Sequence, residues 1–133
     1  MKLVLDTHLL LWSVGWRSTD PSDPMPAAAA QSIDDPDNDL IFSAASIWEV
    51  AIKSARGRAD FAIAPETLRR GLLDHGYDEL PVTSEHAVAV PRLPTLHKDP
   101  FDRLLIAQCL VEGITLLTAD EAVARYPGPI RRV

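Results

Sequence analysis

Along the 133 residues, short apolar runs alternate with longer stretches of helical period. The run over residues 2–5, Lys-Leu-Val-Leu, predicts a buried first strand. Residues 7–14 predict a helix with Thr7 as its cap. The stretch 18–26 is rich in Pro, Asp and Ser and predicts a loop, followed by an alanine-rich helix over 27–33. Asp35-Pro36-Asp37-Asn38 predicts a turn, and residues 40–42 a second strand. Residues 45–55 predict an amphipathic helix with Ile47, Trp48, Ala51 and Ile52 on its apolar face.

Residues 57–64 show no period. Pro65 opens a predicted helix over 65–73, and Gly76 lies just beyond its end. Residues 79–82 predict a third strand, at a sheet edge because of Pro81. A short helix over 84–90 and a loop over 93–98 follow. Residues 101–112 form the most apolar predicted helix, closed by Gly113. A fourth strand over 115–117, a short helix over 121–126 and a peripheral strand over 130–133 complete the pattern. This alternation predicts one α/β domain, residues 1–133, on a mainly parallel sheet. The sequence holds no repeat and no low-complexity linker.

Composition narrows the function. The single cysteine, Cys109, excludes an internal disulfide framework and points to a reducing, cytoplasmic setting. Cys109 itself reads as a core residue of an apolar helix, not a nucleophile. Asp6 interrupts the first apolar run too early for a signal peptide. No stretch approaches the ~20 apolar residues of a membrane helix. The formal charge is −6, from 19 acidic and 13 basic residues, which disfavours a broadly basic nucleic-acid binder. Attraction to phosphate must then come from local basic groups, a bound cation or a basic partner.

Placement singles out some of those acids. Asp6 ends the first strand, and Asp120 follows the fourth. Glu49 lies early in its helix, while Asp99 and Asp102 open the most apolar one. In a parallel sheet, strand C-terminal ends and the helix N-termini that follow them share one edge, so these acids can meet. Each has a structural alternative. Asp6 and Asp99 are possible N-caps; Ser46 with Glu49, and Thr118 with Glu121, fit capping boxes; Glu49 and Lys53 fit a helical ion pair. Jointly, carboxylates about 5 Å apart repel by roughly 3 kcal/mol per pair at an effective dielectric near 20. A divalent cation removes that cost, and an all-oxygen donor set suits Mg²⁺ or Mn²⁺. No His/Cys cluster has zinc spacing, and the six glycines form no phosphate loop.

At four places the residues match a known pattern: Leu5-Asp6-Thr7-His8; the segment from Ser43 through Ser46-Ile47-Trp48-Glu49 to Lys53; the segment from His97 through Asp99-Pro100-Phe101-Asp102-Arg103 to Gln108; and Leu117-Thr118-Ala119-Asp120. With these, the chain resembles the PIN-domain ribonucleases, and among them the VapC-type toxins of bacterial toxin–antitoxin pairs. The resemblance implies a three-layer α/β/α fold with about five strands and Mg²⁺- or Mn²⁺-dependent endonucleolytic cleavage of RNA. It further implies a VapB-type antitoxin partner and a homodimer. By position, the family's acidic quartet falls on Asp6, Glu49, Asp102 and Asp120, with Asp99 an additional acid near the metal.

Thr118, Arg103, Lys53 and His8 are expected at the substrate or behind the acids. Arg103 and Lys53 can contact phosphate or pair with a nearby carboxylate. His97 can sit near the pocket, whereas His75 and His86 suggest no role. Arg17, Lys53, Arg56, Arg58, Arg69 and Arg70 are candidates for steering RNA, and Trp12, Trp16 and Trp48 for stacking on bases or packing at an interface. Leu10, Leu11 and Trp12 are candidates for a dimer contact or for the core. A non-catalytic metal-binding module, or an interaction domain whose acids are helix caps, remains the alternative.

Overall fold

A computed structural model describes residues 1–14 and 25–133. Arg17, Trp16 and most of the expected loop over 18–26 lie outside the described residues. Five strands form one parallel sheet: β1 (Lys2–Leu5), β2 (Asp39–Ser43), β3 (Asp78–Leu80), β4 (Thr115–Thr118) and β5 (Ile130–Arg132). Their order is β3-β2-β1-β4-β5. The chain thus builds outward from β1 to β3, then returns to the opposite side of β1 with β4. In such sheets a crevice opens at the strand C-termini where the order reverses, here between β1 and β4.

The helices are α1 (Thr7–Ser13), α2 (Ala27–Asp34), α3 (Ala44–Ala55), α4 (Pro65–Asp74), α5 (Ser84–Ala89), α6 (Pro100–Glu112) and α7 (Glu121–Ala124). Short 3-10 turns occupy Ala59–Phe61 and Val90–Arg92. Side chains alternate across the pleat, so β1 feeds two cores. Leu3 and Leu5, with Phe42 and Leu117, pack under Leu9, Leu10, Val50, Phe61, Leu68 and Leu72. Val4, Ile41 and Leu116 face Leu105, Ile106, Cys109, Val123 and Tyr126. This is the three-layer α/β/α arrangement, with α6 as the main cover of the second face.

Local chemistry sets the boundaries. Ser43 ends β2 and caps α3 by accepting from the Ala45 amide, so helix follows strand without a loop. Pro100 stands in the first turn of α6, and Gly113 closes it with φ +67. Gly128 turns the chain into β5 with φ +134, a backbone conformation that strains any residue with a side chain. β3 covers Asp78–Leu80, earlier than expected, and Pro81 falls just past it.

Leu10 and Leu11 are fully buried, so of the two roles open to them they take the core. Two expectations are corrected. The buried face of α3 is Ala45, Ser46, Glu49 and Val50 rather than the Ile47–Trp48–Ala51–Ile52 face, and Trp48 is 60% exposed. Hydrophobicity misled there because a carboxylate points inward. His86, expected to be idle, is completely buried. Its Nδ1 accepts from the Thr83 amide at 3.0 Å, and Nε2 lies 2.8 Å from Glu112. It therefore fastens α5 to α6. His86→Ala should lower the free energy of unfolding by about 2–4 kcal/mol, because it empties a fully buried site and removes the bonds to the Thr83 amide and Glu112. Urea titration measures this, and an unchanged midpoint would refute the fastening role.

Candidate active site

The residues following β1 and β4 converge with the first turns of α3 and α6 in a recess of about 150 Å³. It is lined by Asp6, Thr7, His8, Glu49, Lys53, Arg58, His97, Asp99, Asp102 and Asp120. The five acids expected at the site thus share one recess, at the crevice that the strand order creates.

Each acid is held differently. Asp6, not Thr7 as expected, is the N-cap of α1, because its Oδ1 accepts from the Leu9 amide at 3.0 Å while the Thr7 hydroxyl turns to Glu49. Its Oδ2 accepts from the Thr118 hydroxyl, which itself accepts from the Asp120 amide at 3.0 Å. Thr118 therefore ties the ends of β1 and β4 together. Burial raises the Asp6 pKa above the usual carboxylate value, with the charge of Asp120 acting in the same direction. Asp120 caps α7 through the Ala122 amide and remains exposed. It is itself the N-cap, which replaces the expected Thr118–Glu121 capping box.

Glu49 is 3% exposed, accepts from the Thr7 hydroxyl at 2.6 Å and pairs with Lys53. Ser46 lies inside α3, 2.9 Å from the Thr7 hydroxyl, so it caps nothing. Lys53 also reaches Asp99 at 3.2 Å. Burial works against the lysine's charge, but the bond and charge of Glu49, with Asp99, outweigh it and raise its pKa. Asp99 caps α6 through the Phe101 and Asp102 amides. Burial would raise its pKa, yet the Asp102 amide and Lys53 together hold it below the ordinary value. Lys53 thus acts as an internal counter-ion, the ion-pair alternative of the sequence.

Asp102 caps nothing. Its side chain is 17% exposed, and its Oδ2 lies 2.9 Å from His97 Nε2. Burial, then the charge of Asp99, push its pKa up to about 7, with Glu49 and Asp6 adding to the rise. A carboxyl this costly to ionise, with no structural duty, is the mark of a functional position.

Arg103 departs from expectation. It contacts no carboxylate and does not line the recess. Its guanidinium donates to the carbonyls of Pro94 and Val90 and to the Tyr126 hydroxyl, pinning the loop before α6. Arg58 lines the recess and pairs with Asp60 at 2.8 Å, while His8 lies 3.4 Å from Asp60. Arg69 and Arg70 pair with Glu79 and Glu66. Trp48 packs edge-on against Phe101 with centroids 5.4 Å apart. Trp12 is partly buried against the first core.

The five carboxylates outnumber the cations of the recess, Lys53 and the Asp60-paired Arg58. The donor set is mostly hard oxygen, and His97, Asp102 and Asp120 offer ligand atoms all within 4.8 Å of one another. These residues fit a divalent cation.

The PIN domain family model matches residues 3–129. The chain belongs to the PIN-domain family. Ribonuclease VapC22 of Mycobacterium tuberculosis is 30% identical over 130 residues, which cover 96% of this chain and 95% of that protein. The fold is also that of chains in two solved VapBC structures. The crystal structure of VapBC2 from Rickettsia felis, bound to a promoter DNA fragment, contains a chain matching at TM-score 0.71 and 13% identity. That match covers 100% of this chain and 99% of the other. VapBC-1 from nontypeable Haemophilus influenzae matches at TM-score 0.60 and 18% identity, covering 99% and 98%. Among PIN domains, the chain is thus similar to VapC-type nucleases over nearly its whole length. None of its helices, among the described residues, is long and apolar enough to cross a membrane.

His97 is the site residue that sequence reasoning valued too little. Its signals are its place at the head of the Asp99–Asp102 segment and five residues before Asp102, at the end of a loop that Arg103 and Tyr126 hold.

Proposed function

We propose that the chain is a Mg²⁺- or Mn²⁺-dependent endoribonuclease, the toxin of a toxin–antitoxin pair, acting in the cytoplasm as a homodimer. The observation that carries this reading is the meeting of Asp6, Glu49, Asp99, Asp102 and Asp120 in one recess at the β1/β4 crevice. Helix capping accounts for part of the set, since Asp6, Asp99 and Asp120 all cap. It does not account for the buried Glu49 or the partly buried Asp102.

Asp6, Asp102 and Asp120 would hold the cation, with Glu49 and Asp99 completing the acidic wall. When bound, the ion neutralises the scissile phosphate and makes a water acidic enough to attack it. The chain's own groups set the stage. Thr118 holds the Asp6 carboxylate through a hydrogen bond, and Lys53 holds Glu49 and Asp99 in place by pairing with both. Arg58, exposed at the rim, would attract the RNA backbone. A VapB-type antitoxin would block the same recess, and a basic side chain from it would pair naturally with these carboxylates.

The test is cleavage of RNA by the purified chain with Mg²⁺, Mn²⁺ or EDTA. Cleavage that needs the cation and stops in EDTA is the expected result. Equal cleavage in EDTA would overturn the metal role. A folded chain that neither binds the ions nor cuts RNA would overturn the nuclease reading in favour of an interaction domain.

A further inference from the structure

We propose that His97 is a nitrogen donor to the cation held at Asp102 and Asp120, and that it shifts the site's preference from Mg²⁺ toward Mn²⁺. The inference rests on the cation-dependent reading above and adds a residue outside the acidic set to it.

Spacing supports it first. His97 Nε2 and Asp102 Oδ2 are 2.9 Å apart. Two adjacent donors of an octahedral ion with bonds of about 2.1 Å stand about 3.0 Å apart, and opposite donors about 4.2 Å. No ligand atom of His97, Asp102 and Asp120 is more than 4.8 Å from another. The His97–Asp102 pair thus already stands at the spacing of adjacent donors, with Asp120 within reach of the same ion. The contact that His97 makes with Asp102 in the free chain then becomes a shared edge of the coordination shell.

Fixation supports it second. The His97 amide donates to the Tyr126 hydroxyl at 2.9 Å, and that hydroxyl lies 3.3 Å from the His97 carbonyl. Tyr126 is 3% exposed and also accepts from Arg103, which binds the Pro94 and Val90 carbonyls. The loop backbone is thus clamped from two sides at the residue whose imidazole enters the recess. A purely hydrogen-bonding role toward one carboxylate would not require that clamp.

Donor chemistry gives the selectivity. Mg²⁺ strongly prefers oxygen and gives up its waters reluctantly, whereas imidazole stabilises the first-row transition ions. Adding one imidazole to the carboxylates therefore shifts the site's preference toward Mn²⁺. His8, the other imidazole of the recess among the described residues, is directed to Asp60.

The experiment uses the full chain and Mn²⁺ alone, with pulsed electron paramagnetic resonance as the readout. Isothermal titration with Mn²⁺ and Mg²⁺ runs in parallel, on wild type, His97→Ala and His97→Asn. Circular dichroism confirms that each is folded. Directly bound imidazole imprints ¹⁴N modulation on the Mn²⁺ signal. The expected result is modulation in wild type and its loss in both variants. The ratio of Mn²⁺ to Mg²⁺ affinity should fall on the order of tenfold, the lower end of what metal-site partners contribute.

Mn²⁺ bound without ¹⁴N modulation, or modulation surviving in His97→Ala, overturns the proposal and leaves the cation reading standing. So does an equal loss of both affinities in His97→Ala with recovery in His97→Asn, because that pattern belongs to a residue that only positions Asp102. Absence of any Mn²⁺ binding by wild type overturns this proposal and the cation reading together.

Discussion

Asp6→Asn is expected to slow RNA cleavage by about 100- to 1,000-fold, the scale of losing one preorganised electrostatic group at a reaction centre. The fold should survive. The asparagine oxygen can still accept from the Leu9 amide, and its NH₂ faces the Thr118 hydroxyl, which can turn to accept. The buried charge, with its repulsion from Asp120, disappears. Tm should therefore stay within about 5 °C of wild type, a change of about 1 kcal/mol for a domain of this size. Quantitative cleavage assays beside thermal scans check both halves. Wild-type cleavage by a folded Asp6→Asn variant would remove Asp6 from the site.

Asp102→Asn should produce the second large effect, in stability rather than rate. The carboxyl titrates near 3.8 in the unfolded chain and at about 7 in the folded one. Between those values the folded state binds a proton that the unfolded state lacks. Stability therefore falls as pH rises through the window from about 4 to 7. The interval corresponds to at most about 4 kcal/mol, an upper bound because Asp102 titrates together with its neighbours. In EDTA, wild type should accordingly melt at lower temperature at pH 8 than at pH 5. Asp102→Asn should flatten that slope and melt above wild type at pH 8, while its oxygen keeps the contact to His97 Nε2. Added Mn²⁺ should raise the wild-type Tm at pH 8, by mass action on the folded state, and leave the variant nearly unmoved. Parallel pH slopes for the two proteins would refute the account.

Both predictions share one physical cause. The recess gathers more negative charge than Lys53 and Arg58 offset, and the cation-free protein bears that cost in stability. Natural sites often trade stability for function in this way.

Much of this arrangement is legible along the chain. The apolar runs over 2–5 and 115–117, with acids directly after them, mark strand ends that a parallel sheet must bring to one edge. Asp99-Pro100 marks the start of α6 because a capping carboxylate and a first-turn proline serve the same helix end. What local pattern misjudges is the inward face of α3. Glu49 is buried because Thr7 and Lys53 satisfy it, and Thr7 comes from a segment 42 residues away. Periodicity registers hydrophobicity alone, so it turned the helix toward Trp48, which is 60% exposed. Leu10 and Leu11 were open between surface and core because apolar character does not say which elements will cover them.

The sequence by itself determined the α/β alternation, the approximate positions of the helices, the start of α6, the list of acids and the family resemblance. Each of these depends on residue type and on neighbours within a few positions, where capping, propensity and period act. Only the tertiary structure decided which groups face one another. It placed Lys53 between Glu49 and Asp99, turned Arg103 away from the acids to clamp a loop, sealed His86 between α5 and α6, and set His97 against Asp102. Those outcomes depend on distances between segments far apart in the chain. Burial and charge are collective there, and one residue's role is set by what the rest of the fold brings beside it.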